Sequence, residues 1–279
     1  EEKDYKMKNQ VRICMIGSGR VGKNHSGIIR NNIPAAKIVA LVDPIETARQ
    51  ETAAEYEIEE QYESLDQALE RSKFDAVMIT TPPSSHLPLA ILAAENKKQI
   101  FLEKPMGLTM EECHQISDAV DRNHISLQLG FMRRFDPEFI HAYERIQGGE
   151  IGDPMMIKSN THGPGLPAAR WAQDLKTSNG MLSEVNSHDW DSVRWLMGAN
   201  IERVYAEVAN FKGASYNVTT ENFYDNVLVN CKFENGGLGM ISGICPCGYG
   251  YDARVEIVGT KGIMQIGTIE GEAIVVCNN

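Results

Sequence analysis

The run Arg12-Ile13-Cys14-Met15-Ile16-Gly17-Ser18-Gly19-Arg20-Val21-Gly22 constrains this chain more than any other stretch. Apolar residues end in Gly-x-Gly-x-x-Gly, and a helical pattern follows. Gly17 lets the chain turn sharply off a buried strand, Gly19 lets the backbone approach a diphosphate, and Gly22 lets the helix pack closely on the strand. Phosphates then sit on the N–H groups of the helix N-terminus. A second apolar run, Lys37 to Val42, ends in Asp43, about 20 residues past the last glycine, the spacing a dinucleotide site requires. A carboxylate there accepts both hydroxyls of an adenosine ribose and repels a 2′-phosphate, so NAD is expected over NADP. Pro44 follows with no adjacent arginine to clamp such a phosphate; Arg49, on the next helix, is the alternative.

The alternation continues. Strand patterns at Val11–Ile16, Ile38–Val42, Ala76–Thr80, Ile100–Leu102 and Ser126–Gly130 interleave with helix patterns at Val21–Arg30, Ile45–Tyr56, Ser64–Arg71, His86–Ala94 and Met110–Asn123. Continuously apolar strands between helices predict a parallel sheet covered on both faces. Asp66, Thr109 and Ser84 or Ser85 are candidate helix starters. Past Phe135-Asp136-Pro137 the pattern changes. A helix over Pro137–Gln147 precedes Gly148-Gly149, strand-like Met155–Ser159 and a Gly/Pro-rich loop from His162 to Pro167. A helix over Asn186–Met197 is stopped by Gly198. Strand patterns follow at Ile201–Ala209, Tyr224–Phe233, Leu238–Ile244, Val255–Gly259, Ile263–Ile266 and Ala273–Cys277, with Asn235-Gly236 as a hairpin signal. Val227, Val229, Cys231 and Phe233 share one face and Leu228, Asn230 and Lys232 the other, as in an antiparallel sheet covered on one side.

The fold class is therefore α/β. An N-terminal doubly wound parallel-sheet domain is expected over 1–133, and a C-terminal α+β domain with a large, mostly antiparallel open sheet over 134–279. The sequence stops at Asn278-Asn279, just after a strand pattern, so the C-terminal domain is expected to be truncated there.

With 279 residues, of which 42% are hydrophobic, there is ample core for one or two domains. A net charge of −11 argues against nucleic acid and anionic membranes, which require a basic face. No apolar run approaches the roughly 20 residues of a membrane span, and Glu1 to Gln10 is too polar for a secretory leader. Cys14, Cys113, Cys231, Cys245, Cys247 and Cys277 suggest no disulfide framework and fit reduced cytoplasmic thiols. Cys245-Pro246-Cys247 is half a metal site without a second Cys/His pair at matching spacing, so no metal is expected.

Ligands of doubly wound sheets bind at the carboxyl ends of the strands. Thr80-Thr81-Pro82-Pro83 stands at one such end, where its hydroxyls and rigid turn either line a cofactor trough or simply close a loop. His86 reads equally as a polar helix start or a ligand contact. Glu103-Lys104-Pro105 stands at another end. A lysine there can hydrogen-bond a substrate hydroxyl and stabilise the alkoxide formed as hydride leaves; the plain alternative is a surface lysine. Glu184 and His188 are four apart and share a face if one helix holds both. Imidazole suits removal of a hydroxyl proton near neutral pH, and a carboxylate can orient it. By itself, such a pair is usually an ordinary surface pair.

Together these stretches resemble the Gfo/Idh/MocA (glucose–fructose oxidoreductase / inositol dehydrogenase) family, nearest in motifs to inositol 2-dehydrogenase-like members. Ile16 to Gly22 with His25 resembles the family's opening, and Glu103-Lys104-Pro105 its Glu-Lys-Pro signature. Gly130-Phe131-Met132-Arg133-Arg134-Phe135-Asp136-Pro137 resembles the stretch linking its two domains. Gly180-Met181-Leu182, on through His188-Asp189-Trp190-Asp191 to Gly198, is similar to the helix carrying its catalytic histidine. Tyr249-Gly250-Tyr251-Asp252, Glu256 and Gly259-Thr260-Lys261-Gly262 resemble its C-terminal sheet region. The motifs run in order over nearly the whole chain.

The resemblance implies a Rossmann domain, NAD as cofactor, and oxidation of a secondary hydroxyl on a cyclic polyol or sugar, or the reverse reduction. Gly17, Ser18, Gly19, Arg20, Val21, Gly22, Asp43, Pro44, Thr80, Thr81, Pro82, His86, Glu103 and Lys104 would hold the cofactor. Lys104, His188 and Glu184 would be catalytic, with Lys104 steadying the oxygen and His188 taking the proton. Glu184 stands where the family usually has Asp, and its extra methylene moves the carboxylate outward. Met132, Arg133, His162, Trp171 and Tyr249 would meet the substrate. A homo-oligomer, tetramer or higher, packed through the C-terminal sheet is implied as well. The alternatives are a ring hydroxyl of a sugar glycoside as target, and a non-catalytic NAD-binding regulatory protein.

Overall fold

The computed structural model describes residues 10–163, 170–213, 223–247 and 250–267. The strand pattern at Ala273–Cys277 lies outside them. The chain divides into two compact units, one ending at Gly130 and one starting at Phe131. That division precedes the expected 133/134 boundary, because Arg133 is ion-paired to Asp189 of the second unit.

In the first unit, strands β1 (Val11–Ile16), β2 (Ala36–Val42), β3 (Glu60–Tyr62), β4 (Ala76–Ile79), β5 (Gln99–Leu102) and β6 (Leu127–Leu129) pair in parallel, in the order β3-β2-β1-β4-β5-β6. Helices α1 (Arg20–Asn32), α2 (Glu46–Tyr56), α3 (Leu65–Arg71), α4 (His86–Glu95) and α5 (Met110–Asn123) connect them. Alternate residues of a strand point to opposite faces. Ile13 and Met15 pack with Ile29 of α1 and Ala53 of α2. Cys14 and Ile16 pack with Leu65 of α3, Ala90 of α4 and Ile116 of α5. The central stretches of β1 and β2 are buried on both faces, which is why each reads as a continuous apolar run. Burial pushes the Cys14 thiol up to about 12. The winding reverses between β1 and β4, so a crevice opens at their carboxyl ends.

One strand is found beyond those expected, and one helix start is corrected. β3 is a polar edge strand with no apolar run to betray it. Ser64, not Asp66, caps α3 by accepting the Gln67 N–H; Thr109 caps α5 through the Glu112 N–H at 3.1 Å, as expected.

In the second unit, α6 (Pro137–Gln147) starts on Asp136, whose carboxylate accepts the Glu138 N–H at 2.9 Å. After β7 (Pro154–His162) come short helices α7 (Arg170–Gln173), α8 (Leu175–Ser178) and α9 (Gly180–Glu184), then α10 (Ser187–Met197). Strands β8 (Ile201–Ala209), β9 (Asn226–Phe233), β10 (Leu238–Ile244), β11 (Val255–Gly259) and β12 (Ile263–Ile266) complete a sheet of order β12-β11-β7-β10-β9-β8. Every pairing is antiparallel except β7 with β10. Asn235-Gly236 forms the β9–β10 hairpin turn. Ile157, Val229, Phe233, Ile241 and Ile257 form an inner face packed with Phe139 of α6 and Val193 and Leu196 of α10. The outer face leaves Tyr205, Leu228 and Leu238 exposed.

Two further expectations are corrected in this unit. β7 runs past the expected strand end at Ser159 to His162, where the loop is expected to begin, because β10 extends the pairing to Ile244↔His162. Glu184 and His188 do not share one helix: α9 ends at Glu184, the chain turns at Val185 and Asn186, and α10 restarts at Ser187.

Candidate active site

In the first unit the crevice begins where β1 ends. Gly17 has φ +105°, a conformation L side chains avoid. A Cβ on Gly22 would lie 2.0 Å from the Gly17 carbonyl oxygen, so only glycine lets α1 come this close to the strand end. A Cβ on Gly19 would meet nothing within 4 Å. Gly19 is also the N-cap of α1 and offers no side-chain cap, so its first turn faces open space with backbone N–H groups. That cradle fits a diphosphate. Asp43, at the end of β2, accepts the Ser18 N–H at 2.7 Å and the Ile45 N–H at 2.8 Å. Its carboxylate is thereby fixed beside the cradle, as a ribose acceptor must be. Arg49 donates to the Asp43 backbone carbonyl and so is committed to the protein's own chain. Arg20 and Pro44 are exposed and Val21 is half-buried beside the same turn.

The end of β4 behaves differently from expectation. The Thr80 hydroxyl is buried and donates to the carbonyls of Ile16 (2.9 Å) and Gly17 (3.2 Å), so it ties two strand ends together rather than facing a ligand. Thr81 accepts from Ser85 at 2.7 Å, and Pro82 is exposed. His86 is fully buried, with Nδ1 2.7 Å from the Pro105 carbonyl and Nε2 3.0 Å from the Thr81 carbonyl. It braces the β4 and β5 ends and is corrected from ligand contact to brace. At the β5 end Lys104 is half-buried and precedes a cis peptide bond to Pro105. Glu103 accepts the Lys104 N–H at 3.1 Å and pairs with His25 at 2.8 Å. Burial raises the Glu103 carboxyl, but the hydrogen bond and charge of His25, with the Lys104 N–H and charge, hold it below the usual carboxylate range.

In the second unit His188 is half-buried in the first turn of α10. Its ring stands edge-on to Phe131 at 6.3 Å, and its carbonyl accepts the Ser192 hydroxyl at 2.7 Å. The turn before it is anchored by a buried network that sequence reading did not find. The Asp189 carboxylate accepts from Arg133 (2.9 Å), from Ser159 and from Asn186 (2.8 Å). Arg133 also donates to Thr161 at 2.7 Å. Arg133 is 3% exposed, so the expectation that it touches substrate is corrected: its charge is spent inside the unit. Glu184 is half-buried at the end of α9.

Met132 is exposed. His162 has Nε2 2.9 Å from the Ser242 hydroxyl and Nδ1 3.6 Å from Asp252; burial holds the imidazole below its usual value, against the opposing charge of Asp252. The side chain of Trp171 and all of Tyr249 lie outside the described residues. A pocket of about 400 Å³ opens along α10, walled by Phe131, Leu182, Ser187, Trp190 and Arg194, and His188 is not among its walls. Among the described residues no three His, Cys, Asp or Glu gather as metal ligands. Burial raises Cys245 to about 11 and Cys247 donates to the Gly250 carbonyl at 2.6 Å. No described helix is long and apolar enough to cross a membrane.

Residues 11–131 match the Gfo/Idh/MocA oxidoreductase family with an NAD-binding Rossmann fold, and residues 139–265 match the Gfo/Idh/MocA C-terminal domain. The chain is 36% identical to the scyllo-inositol 2-dehydrogenase (NAD(+)) of Bacillus subtilis (strain 168), over 97% of this chain and 78% of that protein. It is 29% identical to the myo-inositol 2-dehydrogenase of Thermotoga maritima, over 90% of this chain and 74% of that one. The crystal structure of scyllo-inositol dehydrogenase from Lactobacillus casei with bound NAD(H) and scyllo-inositol superposes with a TM-score of 0.85 at 28% identity, over 97% of this chain and 80% of that one.

Proposed function

The chain belongs to the Gfo/Idh/MocA oxidoreductase family and is an NAD-dependent dehydrogenase of the sugar and polyol class; from that premise we propose that it oxidises a secondary hydroxyl of an inositol-like cyclic polyol to the ketone. The observation that carries the cofactor half is the open glycine cradle with the Asp43 carboxylate fixed beside it. The polyol half is supported by the inositol dehydrogenases this chain is similar to.

NAD, when bound, supplies the hydride acceptor. The chain's residues bind and move protons. The Gly17–Gly22 turn and the start of α1 take the diphosphate, and Asp43 takes the ribose hydroxyls. Lys104 donates a hydrogen bond to the substrate oxygen and steadies the negative charge that grows there as the carbon loses hydride. His188 Nδ1 or Nε2 accepts the hydroxyl proton, and neutral imidazole is the form that does so. Glu184, one turn break away, is the acidic partner of that exchange. The exposed outer face of the second sheet, with Tyr205, Leu228 and Leu238, is the surface through which copies of the chain pack.

Deuterium on the carbinol carbons of scyllo-inositol tests the reading. The expected outcome is label transferred to the reduced cofactor and a slowed turnover. Label appearing in water instead would contradict direct hydride transfer.

A further inference from the structure

Lys104 is a long side chain at a strand end, and something must fix where it starts. Three features of the first unit converge on the residue before it. The Glu103 carboxylate is 16% exposed and is shared between two donors. One oxygen takes the Lys104 backbone N–H at 3.1 Å, and the other pairs with His25 Nε2 at 2.8 Å. His25 comes from α1, the helix whose first turn forms the diphosphate cradle, and its ring also stands edge-on to Phe101 at 5.3 Å. Phe101 and Glu103 lie two apart along the β5 direction and so point to the same side. The third feature is a missing atom. A Cβ on Gly130 would stand 2.9 Å from Glu103 Oε2 and 3.1 Å from Oε1, so any larger residue would push the carboxylate away.

We propose that Glu103 is a positioning residue: braced by His25 and given room by Gly130, its carboxylate holds the Lys104 backbone in place against α1. It is a strut between the cofactor cradle and the lysine, a role that rests on Lys104 acting on the substrate oxygen. A surface ion pair need not sit this way. Two donors from different elements, a supporting ring and a glycine shaped around the carboxylate restrict it to one position. Small displacements of a reacting group cost rate steeply, about 10²-fold for a misplacement near 1 Å.

The test compares Glu103→Ala, Glu103→Gln, His25→Ala, His25→Gln, Gly130→Ala and Lys104→Ala, together with the Glu103→Ala/Lys104→Ala double variant. Turnover is measured with NAD and scyllo-inositol, NAD affinity by protein fluorescence, and the Lys104 environment by the resonance of isotope-labelled methyl groups on its amine. The strut predicts that Glu103→Ala lowers kcat by about 10²-fold while NAD affinity stays unchanged. Glutamine at 103 or 25 keeps the hydrogen bonds and restores most of the rate, and Gly130→Ala shifts kcat in the same direction as Glu103→Ala. In the Lys104→Ala background, Glu103→Ala costs nothing further. The Lys104 resonance moves in Glu103→Ala.

Additive losses in the double variant, or an unchanged Lys104 resonance, would overturn the strut. Lost NAD affinity at unchanged kcat would overturn it too, since Glu103 would then serve the cofactor alone. Wild-type turnover in Lys104→Ala strikes instead at the role given to Lys104, and the resonance then decides the strut by itself, as it does if scyllo-inositol is not turned over.

Discussion

The candidate cofactor cradle of the first unit is built from backbone, the candidate site of the second from side chains. Between β1 and α1 the working parts are a glycine at φ +105°, a bare Cα at Gly22 and a helix start with no side-chain cap. The Asp43 side chain beside that turn is itself held by two backbone N–H groups. The turn carrying His188 is held otherwise. Arg133 precedes α6, Ser159 and Thr161 sit on β7, and Asn186 and Asp189 flank the start of α10; their polar atoms meet in a buried cluster. At Gly17 and Gly22 this backbone turn has no room for added atoms. A buried side-chain site cannot spare a partner, because the charge left behind has no water to solvate it. The first unit is therefore fragile to insertion and the second to deletion.

The contrast can be broken in order of expected effect. His188→Ala should lower turnover by roughly 10²–10⁴, with NAD affinity kept; steady-state kinetics and a binding titration check both, and near-normal turnover would remove His188 from the site. Arg133→Met strands the Asp189 carboxylate in the interior and should cost ~3–5 kcal/mol in chemical denaturation. Pairing it with Asp189→Asn should recover much of that loss, and a neutral Arg133→Met would break the deletion half of the contrast. Gly22→Ala forces a methyl against the Gly17 carbonyl and should cost ~1–3 kcal/mol, whereas Gly19→Ala, placed in open space, should leave stability alone and weaken NAD. Equal stability losses at the two glycines would break the insertion half.

The smallest effect concerns pH. The folded Glu103 carboxyl binds its proton less tightly than it does in the unfolded chain. Its contribution to stability is complete above about pH 4.3, the ordinary glutamate value, and fades as pH falls through the lower folded value. Glu103→Gln should flatten this part of the acid limb in denaturation measured across pH. An unchanged limb would mean the His25–Glu103 pair contributes nothing there.

The same contrast explains what the sequence shows and hides. Gly17, Gly19, Gly22 and Asp43 are legible because a backbone site is written in local spacing, and both cover helices and buried strands leave periodic apolar patterns. β3 is hidden because an edge strand needs no apolar run. Thr80 and His86 sit where ligand contacts are expected, yet their polar atoms close onto backbone carbonyls, and residue type cannot tell these uses apart. Arg133 misleads for the same reason: its partner Asp189 is far along the chain, and nothing in the spacing joins them. The start of the His188 helix is legible to within a residue, expected at Asn186 and found at Ser187, whereas the separate short helix that ends at Glu184 leaves no mark in the spacing. His25 and Glu103 each appear in recognisable motifs, but their pairing emerges only when α1 is laid against β5.

The most direct measurement is reduced-cofactor formation by the purified protein against scyllo-inositol, myo-inositol, free sugars and glycosides, with NAD and NADP in parallel. The account predicts NADH formation with an inositol and far slower reaction with NADP. Activity with NADP alone, or silence toward every polyol while NAD binds normally, would contradict it.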